Sequence, residues 1–355
     1  GTGHLQERTP RLGTGESEEV AEASLRFGSG TIELTSRANL QIRGVTEAGY
    51  PDLLARLQDL GLVDGDAALE ERRNIVITPF WQPGDMAERL GRDLLARLPD
   101  LPPLPAKMGV AVDTGPAPML QGVSADFRFE MGADGLVLRA DGAAIGRVVE
   151  PEAAVDALIG LATWFLESGG AASGRMARHL QSVSLPEAWQ TGPTAAPVPS
   201  PQPGTHRVGM LLGVPFGRMD AAAFGRVLAG CRATSVVCTP WRSLLFVDAP
   251  TAGTWEGFVT AADDPRMAID ACVGAPGCAS AEVATLALAS RLARPGAAVA
   301  GGLHVSGCAK GCARPRRAAT TLVGREGRFD LVREGAPWDQ PSMRGLSADD
   351  VMRLL

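Results

Sequence analysis

The chain has 355 residues and is poor in several residue types. It holds one tyrosine, four histidines and two lysines, Lys107 and Lys310. No basic run of five or more residues occurs and the net charge is -6, so the cationic stripe that nucleic acid requires is missing. No stretch of about 18 apolar residues is present, which argues against a membrane-spanning helix. The apolar segment Leu158–Leu166, LIGLATWFL, is short enough to read as a core helix. No charged-then-apolar leader opens the chain, and Gly1–Arg11 read as a trimmed or loosely ordered start. These absences predict a cytoplasmic protein with neither nucleic-acid nor membrane partners. No histidine pair falls at metal spacing, no Ser-His-Asp or P-loop pattern occurs, and GVPFGRMD lacks the glycine spacing of a dinucleotide fold.

An apolar fraction of 45% over this length predicts more than one compact unit. Thr191–Thr205, TGPTAAPVPSPQPGT, is rich in proline and small residues and reads as an extended linker. The halves on either side look alike. From Pro10 and again from Gly213 the pattern runs turn, helix, strand, polar loop, strand. Each half has a β-branched run ending in threonine, Thr35 or Thr239, then a loop with an arginine, Arg37 or Arg242. ERRNIV around Arg73 and IDACVG around Cys272 follow at similar distances, which points to an internal duplication. Residues 51–63, 85–98, 151–167 and 280–293 read as helices; 107–113, 124–130, 134–140 and 143–149 read as strands of a meander. Strands in runs, mixed with helices, predict an α+β fold.

The six cysteines are more informative. In a cytosolic chain, paired spacings are read first as metal ligands or redox groups. Cys272 and Cys278 lie in CVGAPGC, and Cys308 and Cys312 lie in CAKGC. Loops rich in glycine and proline can wrap a bulky inorganic core and leave N–H groups free for its sulfurs. A helix starting near Ser280 would point its positive end at an anionic cluster. The spacing favours a [4Fe–4S] cluster on these four cysteines. A structural zinc ion, which prefers tighter knuckles, and unliganded buried thiols are the competing readings. Cys231 and Cys238, beside an apolar strand, read as core, and His304 reads as structural.

TSRANLQIRG places Thr35, Arg37, Asn39, Gln41 and Arg43 at alternate positions. If extended, that strand shows one face suited to several carboxylates, since arginine pairs with them bidentately. Lys310, Arg314, Arg316 and Arg317 surround the second cysteine pair, where cations offset thiolate charge.

With HVSGCAKGC, the C-x5-C and C-x3-C pairs and the doubled half, the chain resembles the sulfite and nitrite reductase family. More specifically, TSRANLQIRG, LPAKMG, VPFGR, TPWRSLL and GAPGCASA followed by HVSGCAKGCARP resemble the precorrin-3B synthase family. The resemblance implies a duplicated architecture of two ferredoxin-like half-domains (1–50 and 206–262) and two mixed α/β cofactor-binding domains (51–190 and 263–355), joined through the 191–205 linker. It implies an iron–sulfur monooxygenase that uses O2 to hydroxylate C20 of precorrin-3A, with γ-lactone formation, in aerobic cobalamin biosynthesis. The [4Fe–4S] cluster would relay electrons, an additional non-haem iron would activate oxygen, and an external donor or NAD(P)H-linked reductase would supply the electrons. Arg73 and Lys107 resemble positions that bind the anionic substrate in the reductases, where a second lysine stands at the position of Gly109. Arg37, Asn39, Gln41, Arg43, Arg73, Lys107, Arg242, Lys310 and Arg314 are the expected tetrapyrrole contacts. Among them Arg73, Lys107 and Lys310 are the expected catalytic residues, with Arg37, Arg43 and Arg73 gripping the acetates and propionates and Lys107 and Lys310 near the reacting face. A sirohaem-dependent sulfite or nitrite reductase, with Cys312 bridging cluster and haem, is the alternative.

Overall fold

In the computed structural model, residues 3–5, 11–250, 253–294 and 302–355 are described. The first half runs β1 (Gly3–Leu5), β2 (Leu12–Gly13), α1 (Thr14–Phe27), β3 (Thr31–Leu34), β4 (Leu40–Ile42), α2 (Tyr50–Asp59), α3 (Ala67–Arg72), β5 (Ile75–Ile77), α4 (Met86–Ala96), β6 (Val110–Asp113), β7 (Phe127–Gly132), β8 (Gly135–Ala140), β9 (Arg147–Val148), α5 (Ala154–Glu167), α6 (Gly170–Ser173) and α7 (Met176–His179). The second runs β10 (Gly204–His206), β11 (Gly209–Gly213), β12 (Arg218–Asp220), α8 (Ala221–Cys231), β13 (Ser235–Cys238), β14 (Ser243–Val247), β15 (Ile269–Ala271), α9 (Thr285–Leu292), β16 (Leu303–Ser306), β17 (Ala318–Arg325), β18 (Arg328–Gly335), β19 (Met343–Leu346) and α10 (Ala348–Leu354).

The duplication is written in the strand orders. One sheet runs β1-β4-β3-β12 and its counterpart β10-β11-β14-β13-β2. Each half therefore donates the short strand that precedes its first helix to the other half's sheet: β2 pairs with β13, through Gly13–Ser235 and Leu12–Val236, and β12 lies beside β3. The helices that follow these strands are capped by acidic side chains. Glu16 accepts the Gly13 N–H at 2.7 Å and Asp220 accepts the Ala223 N–H at 2.8 Å. Both occupy the helix end where backbone N–H groups lack partners. The other two sheets, β5-β6-β7-β8-β9 and β15-β16-β17-β18-β19, share one topology of two parallel pairings followed by two antiparallel ones. The runs VAVD of β6 and LHVS of β16 are buried throughout, as central strands covered on both faces must be.

Packing divides the chain into two units. Residues 1–211 and 219–253 form the first; 212–218 and 254–355 form the second. In the first, Leu90, Leu94, Phe127, Phe129, Leu158 and Phe165 form the main core. In the second, Ile269, Leu288, Leu303, Val305, Leu322 and Leu331 do so.

Three expectations change. TSRANLQIRG is a hairpin rather than one extended strand. Thr35 and Asn39 close its turn with an N–H to carbonyl bond of 2.9 Å, and Ala38 takes φ 58°. Its five alternating residues therefore do not form one strand face: Thr35, Arg37 and Asn39 lie in the turn, while Gln41 and Arg43 stay together on the β4 side, joined by a 2.7 Å bond. The helix expected from Ser280 starts at Thr285. The N-terminal reading changes at Gly3–Leu5, an edge strand on β4; residues 1–2 and 6–10 lie outside the described residues. Cys231 and Cys238 are both buried.

Candidate active site

The first unit gathers cations where its hairpin turns meet the β5–β9 sheet. Ala38 and Trp241, each in the turn of one half, pack on Val76, Ala111, Leu120, Val123 and Ala125. The turns are built alike. Thr35 and Thr239 N–H groups donate to the carbonyls of Asn39 and Ser243 at 2.9 and 3.1 Å. Their Oγ1 atoms accept from Arg37 N and Trp241 N at 3.3 and 3.4 Å. Arg37 thus corresponds to Trp241. Arg242, with φ 56°, corresponds to Ala38, one residue off the match that the sequence suggests.

Arg37 reaches the Lys107 carbonyl with Nη2 at 3.4 Å, and its buried Nε has no partner. Burial pushes its pKa down, Arg175 adds to this, and Asp126 opposes it. Lys107 is exposed. Gly109, at the place of the reductases' second lysine, leaves no room for a side chain: a Cβ there would stand 2.7 Å from the Asn74 carbonyl oxygen. The other candidates of this unit are engaged. Arg73 is 3% exposed and pairs with Glu70, with Asp64 at 3.9 Å. Arg43 pairs with Glu33 and bonds Gln41 Oε1 at 2.7 Å, and Gln41 is itself buried. A carboxylate reaching Arg73 would have to displace Glu70 from a desolvated pair. Asn39 is half-buried and its N–H is spent on Thr35 Oγ1 at 3.1 Å.

The second unit brings its four cysteines to the ends of two parallel strands. β15 delivers Cys272, whose N–H donates to the Val305 carbonyl at 3.3 Å. β16 delivers Gly307 and Cys308. The loops are tied together by the Glu282 N–H on the Gly307 carbonyl, 3.1 Å, and the Gly307 N–H on Cys272 Sγ, 3.1 Å. Gly307 is required, because a Cβ there would lie 2.6 Å from Ala281 Cβ and 3.4 Å from Cys272 Sγ. Gly274 turns at φ 63°, and a Cβ on it would meet the Thr285 N at 2.7 Å. Cys272, Cys278 and Cys308 are half-buried and Cys312 is exposed; all are free thiols.

Partial burial, then the charges of Cys308, Cys272 and Cys278, push the Cys312 thiol up, while Lys310 opposes them. Cys312 is therefore within electrostatic reach of the other three sulfurs. Among the described residues, however, no three His, Cys, Asp or Glu side chains are grouped to hold one metal ion. Nor, among the described residues, does such a group mark ligands for a separate iron. A backbone N–H is directed at one of the sulfurs, as the Gly307 N–H is at Cys272 Sγ. Lys310 Nζ donates to Ser280 Oγ at 2.9 Å, and Arg314 pairs with Asp270 at 3.0 Å. His304 is fully buried, neither ring nitrogen has a partner, and burial holds its pKa down at about 4.

Sequence reasoning missed Arg175 and Asp126. Asp126 is 0% exposed at the start of a buried strand, and Arg175 Nε donates to it at 2.9 Å. The available signal was a lone aspartate in the apolar setting of SADFRF.

No described helix is long and apolar enough to cross a membrane. Residues 8–60 match the family described as nitrite/sulfite reductase ferredoxin-like half domain. The structure of the Mycobacterium tuberculosis NirA protein superposes with a TM-score of 0.67 over 99% of this chain and 78% of that one, at 17% identity, which shows the fold. A ferredoxin–nitrite reductase of Leptolyngbya laminosa is 33% identical over 78 residues, 21% of this chain and 15% of that protein. A precorrin-3B synthase of a Sinorhizobium species is 31% identical over 365 residues, covering 91% of this chain and 77% of its own. The chain belongs to the precorrin-3B synthase family, built on the nitrite/sulfite reductase architecture.

Proposed function

We propose that the chain is an oxidoreductase of cobalamin biosynthesis that hydroxylates precorrin-3A at C20 with O2, a ring-A acetate then closing the γ-lactone. The observation that carries this reading is the tie between the two cysteine loops, the Gly307 N–H on Cys272 Sγ at 3.1 Å and the Glu282 N–H on the Gly307 carbonyl at 3.1 Å, in a member of this family. Cys272, Cys278, Cys308 and Cys312 would hold the [4Fe–4S] cluster. When bound, the cluster supplies one-electron transfer, and reduced pyridine nucleotide, directly or through a partner reductase, supplies the electrons. Arg37 and Lys107 bind carboxylates of the tetrapyrrole, because neither is neutralised by a local acid in the way Arg43, Arg73 and Arg314 are. Arg242 and Asn39 belong to turns that pack on the same sheet and would line the substrate. Lys310 stands beside the thiols as a countercharge. Gly109 supports a chemistry different from sulfite or nitrite reduction, since no lysine fits there without moving Asn74.

The test is anaerobic purification with iron and sulfide analysis, EPR of the reduced protein, and oxygen uptake on adding precorrin-3A and reductant. About four irons and four sulfides per chain are expected, with oxygen uptake dependent on the substrate. Extractable sirohaem together with sulfite turnover would replace this reading with the reductase one. Cys312→Ala should abolish the cluster EPR signal, and its full retention would refute the ligand assignment.

A further inference from the structure

Arg175 enters the cationic corner of the first unit from the turn that opens α7. Asp126 accepts three hydrogen bonds there: Gly109 N–H at 3.1 Å, Met176 N–H at 2.8 Å and Arg175 Nε at 2.9 Å. The two backbone N–H groups and the guanidinium together compensate this buried carboxylate, which fixes Arg175 in place. It grips one edge of the guanidinium and leaves the fork open. Among the described residues, no hydrogen bond is formed by Arg175 Nη1 or Nη2. Arg37 lies close enough to feel the Arg175 charge, and its own Nε is buried without a partner. Arg37 touches Lys107 through that residue's carbonyl, 3.4 Å away. Asp126 thus holds Arg175 in place beside Arg37, on the segment that carries Lys107 and Gly109. Like charges held together at a half-buried place favour an anion, and a planar fork with free Nη groups matches a carboxylate.

We propose that Arg175, held by Asp126 as its positioning residue, is a substrate-binding residue that pairs with one acetate or propionate of the tetrapyrrole alongside Arg37 and Lys107. This rests on the reading of the substrate as a carboxylate-rich tetrapyrrole.

The test is anaerobic titration of the holoenzyme with sirohydrochlorin, followed by fluorescence quenching, and with its methyl ester as the uncharged control. Arg175→Gln should weaken binding of the free acid 10-fold or more and leave the ester unchanged. Arg175→Lys, which keeps the charge and loses the fork, should fall between. Asp126→Asn should weaken the acid by a smaller factor and add nothing in the Arg175→Gln background, as coupled groups do. If Arg175→Gln fails to fold, Arg175→Lys and Asp126→Asn carry the comparison. Wild-type affinity for the acid in Arg175→Gln, with binding lost in Arg37→Gln, would overturn the role of Arg175 and leave the substrate reading intact. Equal weakening of acid and ester would show a packing role and overturn it as well. Failure of the wild-type protein to bind either ligand would overturn both.

Discussion

Asp113 ends β6 with 1% exposure, and one of its oxygens has no partner. The other accepts the Met119 and Leu120 N–H groups, each at 2.6 Å. Burial outweighs these bonds and raises its pKa to about 6 from 3.8. The folded state therefore holds this proton more tightly than the unfolded state, and stability contributed by the site is lost as pH rises from 3.8 through 6. Asp113→Asn keeps an acceptor for both N–H groups and removes the buried charge. It should be more stable than wild type at pH 7.5, by up to about 3 kcal/mol, with the gain vanishing near pH 4. A denaturant midpoint difference that stays constant between pH 4 and 7.5 would contradict this. At the same scale, the four cysteines and Lys107 stand out in the sequence as candidates because their residue types are scarce and the cysteine spacing is unusual. The fate of Arg73 was not, since its partners Glu70 and Asp64 are set by how the segment after α2 folds back. Arg175 was hidden because only the fold brings it to Asp126, 49 residues away in the chain.

Turns and loop ends, more than strands and helices, separate what the sequence shows from what the structure adds. The hairpin at TSRAN carries no glycine or proline, so nothing marks it as a turn. Thr35 Oγ1 supplies the signal by accepting Arg37 N at 3.3 Å and Asn39 N at 3.1 Å, a side-chain turn that alternating polarity conceals. The helix after Cys278 starts later than periodicity suggests. The chain first returns to the second loop through Glu282, and Thr285 Oγ1 donates to the Cys272 carbonyl at 2.5 Å. The two cysteine loops are thus braced against each other by small residues. A Cβ at Gly324 would lie 2.6 Å from the Gly307 carbonyl oxygen, and one at Gly307 would press on Ala281. Gly307→Ala should destabilise the protein by about 1–3 kcal/mol through overpacking and should lower the iron and sulfide retained after purification. Wild-type iron content with a wild-type melting temperature would mean that the brace is not needed.

The duplicated halves are interlocked rather than merely joined. β2 completes the second half's sheet, β12 lies in the first half's sheet, and the Ala221 N–H donates to the Gly30 carbonyl at 2.9 Å beside that exchange. The repeated pattern was legible because both halves keep the same order of helix, strand, threonine turn and strand. The exchange was not, because a two-residue strand such as Leu12–Gly13 carries no periodicity to read. An exchange of this kind holds two chain segments together without a covalent link, as swapped elements do between protomers. The linker offers a place to test it. Ala196–Pro199 are exposed, and exposed loop positions tolerate insertion and cleavage. A protease site inserted after Pro199 should be cut without disrupting either sheet. The two fragments should then co-elute as one species at the 37.0 kDa expected of the intact chain, and should separate only in denaturant. Each fragment alone would lack one edge strand and expose the unpaired N–H and carbonyl groups of β13 or β3, an open edge prone to aggregation. Two stable species that elute apart under native conditions after the cut would show that the halves fold independently and that the exchanged strands do not bind them.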